Sequence, residues 1–188
     1  MKNIFVIFFA VCLVIIGGIV FWYISTRNSI IRLDETINQA MSEIDNQLQR
    51  RSDLIPNFVN TVKGYAAHEQ EVFDNIAESR ARLAGAGTVE EKAAGYNEMQ
   101  SALSRLLVIV EQYPDLKANQ NFIALQDELA GTENRIAVAR KRYNDSVGSF
   151  NMRIRTFPGS LIAGNMGYSP RVYFEIEETA RQVPQVVF

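Results

Sequence analysis

The sequence is poor in the residues that most often carry chemistry. It contains one histidine, His68, and one cysteine, Cys12, among 188 residues. A single cysteine excludes an internal disulfide, and together the two residues leave zinc almost none of its usual ligands. A di-iron bundle needs Glu-x-x-His on two helices, and a serine nucleophile needs a base that only His68 could supply. We therefore expect no catalytic residue, no metal, no cofactor and no enzymatic activity.

An excess of charge of one sign is lacking as well. The 19 basic and 21 acidic residues give a net charge of −2, which provides no electrostatic footprint for nucleic acid. Gly159 and Gly164 have the spacing of the glycines in a phosphate-binding loop. However, Asn165 and Met166 stand where that loop needs lysine and then serine or threonine. Neither nucleic acid nor a loop-bound nucleotide is an expected partner.

What the sequence does contain is a long hydrophobic run. The segment from Ile4 to Ile24 holds 21 residues without a charge, and a helix of that length spans roughly 30 Å, the hydrocarbon thickness of a bilayer. The run ends in Phe21-Trp22-Tyr23, an aromatic cluster typical of the headgroup level. A cleaved signal peptide would have a shorter run followed by small residues. Residues 1–26 are therefore predicted to be a retained single-pass transmembrane anchor.

The basic residues around this run say little about its orientation. Lys2 stands on one side, and Arg27 and Arg32 on the other. This distribution favours only slightly a cytoplasmic C-terminal domain. The side of the membrane on which the rest of the chain lies stays open.

Beyond the anchor, apolar residues recur at steps of three and four, the pattern of amphipathic helices packed against one another. The stripe includes Ile30, Ile37, Ile44, Leu48, Ile55, Phe58, Val62, Tyr96, Met99, Leu103, Leu129, Ile136, Phe150 and Ile154. Two glycines at 85 and 87 break the rhythm, and Thr88 with Glu91 has the spacing of a capping box, which predicts a helix start. Pro114 and Pro158 are the next predicted stops.

Pro56 leaves two layouts open, because proline inside a helix deletes a hydrogen bond. Either the chain turns near Ser52–Pro56 and forms an antiparallel bundle of about four long helices, or a single helix kinks there, which gives one long hairpin. We interpret Arg50–Glu71 as a bend followed by the start of a packed helix, and not as an active site. The predicted fold class is all-α, with residues 27–157 forming the bundle and residues 158–188 a non-helical, glycine-containing apolar tail. Only Val172–Ile176 shows a brief strand-like alternation.

Four charged residues interrupt the apolar stripes, namely Arg51, Glu69, Glu133 and Arg140. Their long side chains either lie along the bundle with their charged ends in water or pair inside it as a polar layer that fixes register and partner choice. We take these four as candidate interhelical or partner contacts.

The tail supplies a second set of candidates, which are apolar and would form a large exposed surface unless something covers them. They are Leu161, Ile162, Met166, Tyr168, Tyr173 and Phe174. Both layouts return the helix that ends at Phe157 towards the bilayer, and Arg153, Arg155 and Arg171 flank the apolar positions. A basic and apolar combination suits a membrane surface. The alternative is that the tail covers the bundle or a neighbouring copy, so these residues are candidate membrane or assembly contacts.

Several blocks of the sequence resemble the LemA family. They are Arg50-Arg-Ser-Asp-Leu-Ile-Pro-Asn57, Val62-Lys-Gly-Tyr-Ala-Ala-His-Glu69, Tyr113-Pro-Asp-Leu-Lys-Ala118, Thr132-Glu-Asn-Arg-Ile-Ala137, and Phe157-Pro158 with Leu161-Ile162-Ala163. Together with the anchor, these blocks span nearly the whole chain. The resemblance implies an N-terminally anchored helical bundle, and some members of the family are associated with magnetosome membranes. The family offers no established catalytic residues to carry over.

The anchor, the bundle and the apolar tail together favour a membrane-anchored scaffold or interaction protein. We expect it to form homo-oligomers on the lipid bilayer and to organise or shape the membrane. The alternative is an accessory subunit that docks onto a membrane protease or transporter. The expected partners are thus the bilayer, further copies of the chain, and a membrane protein.

Overall fold

The computed structural model describes residues 2–175, which form six α-helices. They are α1 (Lys2–Lys63), α2 (Gln70–Gly85), α3 (Val89–Val110), α4 (Pro114–Lys117), α5 (Gln120–Arg155) and α6 (Gly159–Asn165). This part of the chain contains no strand, so the predicted all-α class is confirmed. The strand-like alternation that begins at Val172 has no regular structure as far as residue 175, and Ile176 lies outside the described residues.

Helix α1 runs unbroken through Pro56. Of the two predicted layouts, the turn near Ser52–Pro56 is therefore wrong, and the single helix through Pro56 is the one observed. The interpretation of Arg50–Glu71 as a bend followed by a new helix is wrong as well. A proline in a helix interior costs about 3 kcal/mol. Ile55 and Phe58 on either side of it are 2% and 1% exposed, and burying two such side chains contributes roughly 3–6 kcal/mol. Burial outweighs the cost of the proline, and α1 ends only at Lys63.

The start of α3 follows the prediction from the sequence. Thr88 is the N-cap, and its hydroxyl accepts a hydrogen bond of 3.1 Å from the backbone N–H of Glu91. The Glu91 carboxylate accepts bonds of 2.8 and 3.0 Å from the backbone N–H groups of Gly87 and Thr88. These two bonds, in that order, hold the pKa of Glu91 below its ordinary value. The capping box is confirmed.

The chain divides into two compact units. Unit 1 comprises Met1–Gln39 and Asp145–Arg171, and unit 2 comprises Ala40–Asn144 and Val172–Phe188. The core of unit 1 contains Ile30, Ile37, Val147, Phe150, Ile154 and Ile162. The core of unit 2 contains Ile44, Ile55, Phe58, Ile76, Tyr96, Met99, Leu106, Phe122, Ile136 and Phe174. The division of the sequence into an anchor (1–26), a bundle (27–157) and a tail (158–188) stays a prediction.

Unit 1 contains a short helix, α6, in a region that was expected to be non-helical. It begins at Gly159, directly after the cis Phe157–Pro158 peptide bond. A Cβ at Gly159 would lie 2.1 Å from the carbonyl oxygen of Arg153, so no other residue fits this turn without a backbone shift. Residues 168–175, beyond α6, are indeed non-helical. The prediction of a non-helical tail is therefore wrong for Gly159–Asn165, and residues 176–188 of the predicted tail lie outside the described residues.

Candidate functional site

The most unusual buried group in unit 2 is the side chain of Arg51, which is only 4% exposed. Its Nη1 donates a hydrogen bond to one carboxylate oxygen of Glu133 on α5, and its Nη2 donates to the side-chain oxygen of Gln100 on α3. The Tyr96 hydroxyl donates to the other Glu133 oxygen, and the guanidinium carbon of Arg51 lies 5.6 Å from the centre of the Tyr96 ring. We name these four residues the polar cluster.

Helical spacing explains how the sequence builds this cluster. Tyr96 and Gln100 are four residues apart on α3 and therefore share one face of that helix. Arg51 follows the buried Leu48 by three positions, and Glu133 follows the buried Leu129 by four. Both charges thus occupy core-facing positions of their helices. The two helices can bring them together only in one register, which gives the cluster a structural consequence.

The electrostatics of the cluster follow from its burial. Burial lowers the pKa of Arg51, and the neighbouring Tyr96 opposes that shift. Burial also raises the pKa of Tyr96, against the influence of the positive charges on Arg51 and Arg140. Both oxygens of the Glu133 carboxylate accept bonds from within the cluster. The arrangement is a neutral ion pair whose carboxylate is engaged in holding three helices together, so its chemistry is structural.

A cavity of about 250 Å³ lies beside the polar cluster, and we name it the α1–α3–α5 cavity. Its lining surface is mainly apolar and includes Phe58, Leu103, Leu107 and Leu129; its polar residues are Arg51, Gln100, Ser104, Gln126 and Glu133. Leu107 is 38% exposed. Val108, which is 68% exposed, lies one helical turn beyond Ser104, another lining residue. This face of unit 2 therefore presents an apolar recess with a polar wall.

The other two charged candidates do not join the polar cluster by a direct bond. Arg140 is half-buried, and its charge acts on Tyr96 without a hydrogen bond between them in the described structure. Glu69 is the N-cap residue of α2, but its side chain makes no capping hydrogen bond. The structure thus brings together Arg51 and Glu133, places Arg140 nearby and leaves Glu69 apart. A role for any of the four in binding a partner stays a prediction.

The apolar candidates of the tail are divided between the interior and the surface. Ile162 and Phe174 are 3% and 1% exposed, so they are not available to a membrane or to a second copy. Tyr168 is half-buried in unit 1, where its ring meets the Phe150 ring edge-on with 5.5 Å between the centroids, and Met166 is also half-buried. Leu161 and Tyr173 remain exposed.

Two asparagines of α5, which the sequence did not single out, hold the tail. In unit 2 the Asn144 side chain donates to the backbone oxygen of Phe174 and accepts from its N–H, over 3.1 and 2.8 Å. In unit 1 the Asn151 side chain makes the same pair of bonds with Arg171, both over 2.8 Å. Each side-chain amide thus satisfies both the N–H and the C=O of one tail residue, as a neighbouring strand would. The sequence signal was weak, since Asn151 is buried only because it lies between Phe150 and Ile154.

Potential metal and nucleophile residues are scattered. Within residues 2–175, no group of three or more His, Cys, Asp or Glu side chains is placed to hold a metal ion. His68 is exposed in the connection between α1 and α2, and Cys12 lies in the apolar N-terminal part of α1. These two residues occupy different units.

The N-terminal part of α1 is apolar and uncovered. The segment Phe5–Lys63 contains a stretch that is long and apolar enough to cross a membrane, and none of that stretch is buried in the protein. Phe5 and Phe21 near its two ends are 76% and 75% exposed. The length and composition of a membrane-spanning helix are therefore present at the N-terminus.

Known proteins resemble this chain over most of its length. Protein LemA of Metamycoplasma hominis is 28% identical over 185 residues, which cover 96% of this chain and 81% of that protein. Magnetosome protein MamQ 2 of Paramagnetospirillum magneticum is 25% identical, and magnetosome protein MamQ of Magnetospirillum gryphiswaldense is 26% identical. Each of these two matches covers 84% of this chain and 67% of the relative. None of the three names states a catalytic activity. Residues 40–188 match the LemA family, and the chain therefore belongs to the LemA family.

Proposed function

We propose that this protein is a membrane-anchored, non-enzymatic scaffold that self-assembles at the bilayer and organises the membrane around it. The observation that carries the proposal is the exposure of the apolar N-terminal part of α1. Its large side chains from Phe5 to Phe21 are each at least half exposed. An uncovered apolar surface of this size needs a hydrocarbon environment, and the bilayer is the environment that matches its length.

Self-assembly is supported by the α1–α3–α5 cavity of unit 2. Its apolar lining can receive apolar side chains from another helix, and the exposed Val108 lies one helical turn beyond the lining residue Ser104. The polar cluster fixes the register of the helices that form the recess. The binding surface is therefore organised before a partner arrives, which lowers the entropic cost of association. In this proposal the occupant is a second copy of the chain.

The relatives and the charge distribution add to this view. Two relatives are named magnetosome proteins, and a scaffold at a membrane is a role that such a component can have. Arg27 and Arg32 follow the apolar run, whereas Lys2 precedes it. Under the positive-inside rule, this small excess of positive charge on the C-terminal side slightly favours a cytoplasmic location for the part of the chain beyond the anchor.

The test is purification of the full chain in mild detergent, with its protein mass measured by light scattering. A homogeneous homo-assembly is expected, and a chain that stays monomeric at all concentrations would refute self-assembly. Val108→Glu should weaken the assembly because it places a charge one helical turn from the lining residue Ser104. Val138→Glu is the matched control: Val138 is an exposed valine, at 52%, and it lies five positions beyond Glu133, the last lining residue of α5, and therefore on a different face of that helix.

A second candidate function is that of an accessory subunit for a membrane protease or transporter. It is favoured by the concave shape of the apolar recess. Two copies that pair recess against recess leave the recess unfilled, whereas a projecting apolar side chain of another protein fills it. In the same purification, an unrelated chain that co-purifies at a fixed ratio and is lost in Val108→Glu would favour this second function over the scaffold.

A further inference from the structure

Unit 1 exposes a second apolar surface that the anchor does not account for. Phe157 and Leu161 are 77% and 63% exposed, and they flank the turn between α5 and α6. We name residues 155–161 the α5–α6 corner. Side chains of this size rarely stand free in water as a pair unless something covers them. The position of the corner along α1 indicates what the cover is.

The corner touches the end of the apolar run of α1. The Phe157 ring and the Trp22 ring have their centroids 6.3 Å apart. Trp22 lies two residues before Ile24, the last residue of the apolar run Ile4–Ile24, and is therefore at the headgroup level if the run spans the bilayer. Because the two rings are neighbours, Phe157 lies at about the same depth as Trp22.

The buried side chains of α1 also indicate that packing on this helix begins near the depth of Trp22. Thr26 is 3% exposed and Ile30 is fully buried, so other parts of the chain already cover α1 at these positions. Thr26 is one helical turn, about 6 Å, beyond Trp22. The headgroup layer on each side of the hydrocarbon core is about 5–8 Å thick. Packing on α1 thus begins within the headgroup layer, and no linker separates this part of unit 1 from the membrane.

Two stretches of the chain, residues 1–33 and 146–174, contain basic residues and no acidic ones. The chain has no Asp or Glu before Asp34 and none between Asp145 and Glu175. Arg27 and Arg155 fall within these stretches, and both are exposed. Arg171, in contrast, is paired with Asp34 at 2.7 Å. A protein with a net charge of −2 thus has one exposed arginine within the corner, Arg155, and another, Arg27, five residues beyond Trp22 on α1. Exposed apolar and basic side chains are the combination that binds anionic membrane surfaces.

We propose that the α5–α6 corner is a second membrane contact. Phe157 and Leu161 insert among the lipid headgroups, and Arg27 and Arg155 bind the phosphates of anionic lipids. This contact rests on the proposed membrane anchor and adds a second attachment point to it. Two attachment points hold unit 1 at a fixed height and orientation on the bilayer. Gly159 makes the contact possible, because only glycine fits the turn that presents the two apolar side chains.

Tryptophan fluorescence can test this depth, because Trp22 is the only tryptophan in the chain. The full chain is reconstituted into phosphatidylcholine vesicles, with and without phosphatidylglycerol, that contain lipids brominated on their acyl chains. Three proteins are compared: the native chain, Trp22→Phe with Phe157→Trp, and Trp22→Phe with Ile31→Trp as the control. Ile31 is 38% exposed in unit 1 and lies nine residues beyond Trp22, about 14 Å further along α1.

The expected result is strong quenching of Trp22 and of the tryptophan at 157, with weak quenching at 31. The quenching of the tryptophan at 157 should be stronger when phosphatidylglycerol is present, and Arg155→Gln should remove this dependence on phosphatidylglycerol. Quenching at 22 without quenching at 157 would overturn the corner contact and leave the anchor in place. Absence of quenching at 22 would overturn the anchor itself, and the corner contact with it. A tryptophan at 157 that is shielded from both brominated lipid and aqueous iodide would show that a second copy covers the corner.

Discussion

Removing the Glu133 side chain should destabilise the protein more than removing its partner Arg51. Glu133→Ala leaves the guanidinium of Arg51 buried, with only Gln100 and the Tyr96 ring beside it. The Nε of Arg51 already has no hydrogen-bond partner within the described structure. The variant therefore contains an uncompensated positive charge that is 4% exposed to water.

The size of the effect follows from the burial of each partner. Breaking a buried ion pair by removing one charge costs about 3–5 kcal/mol. The adjoining cavity of about 250 Å³ has room for several water molecules that can solvate Arg51. We therefore expect the lower end of that range, roughly 3 kcal/mol. Arg51→Met should cost only about 1 kcal/mol, because methionine fills the volume and the Glu133 side chain, 34% exposed, can be hydrated.

The measurement is urea unfolding of the full chain in mild detergent, monitored by circular dichroism at 222 nm. Thermal melts should show a loss on the order of 10 °C for Glu133→Ala. The double variant Arg51→Met with Glu133→Leu should recover most of the loss, because it leaves no unpaired charge. If Arg51→Met proves as damaging as Glu133→Ala or more so, the cost does not come from burying an unpaired charge, and the reasoning is wrong.

Four further perturbations test the local structure. Thr88→Ala should lower the free energy of unfolding by about 1 kcal/mol through loss of the cap, and an unchanged urea midpoint would contradict this. The folded state holds the pKa of Glu91 below its unfolded value. The contribution of Glu91 to the free energy of unfolding is therefore present above the unfolded pKa and is lost as the pH falls through the folded pKa. Glu91→Gln should accordingly make the free energy of unfolding depend less on pH on the acid side. Phe58→Ala should cost roughly 2–5 kcal/mol in a thermal melt, since Phe58 is 1% exposed; a loss within error would show that it is not a core residue. Gly159→Ala should cost about 1–3 kcal/mol, whereas Gly164→Ala, with open space around its Cβ, should melt like the native protein.

The sequence predicted the all-α class, the start of α3 and the charged interruptions, but not how those interruptions are resolved. Arg51 and Glu133 stand out because they occupy positions where the helical rhythm requires an apolar residue. Their partners do not stand out. Tyr96 fits the apolar stripe as an ordinary core residue, and Gln100 is one of many polar helix residues. Pairing across three helices depends on register between segments far apart in the chain, which no local pattern contains.

Pro56 shows how a local rule can fail against a sum of distant contacts. The rule that proline breaks a helix concerns one hydrogen bond and one steric clash. The burial of Ile55 and Phe58, and the stacking of Phe58 on Phe122 with 5.2 Å between ring centroids, depend on segments that the local sequence does not contain. The apolar rhythm on both sides of Pro56 was the better guide, because it records the same packing that keeps α1 intact.

The apolar residues of the tail are divided between the protein interior and the exposed surface, a division that composition did not predict. A membrane surface and the protein interior both attract apolar side chains, so composition cannot separate them. In α6, Leu161 is 63% exposed while its neighbour Ile162 is 3% exposed. This helix has only seven residues, Gly159–Asn165, which is too few to show a periodicity that would indicate its buried face. Gly159 approaches the Arg153 carbonyl oxygen so closely that a side chain there would require a backbone shift. This backbone approach between residues on either side of the turn is part of the tertiary fold, and no apolar pattern within seven residues contains it.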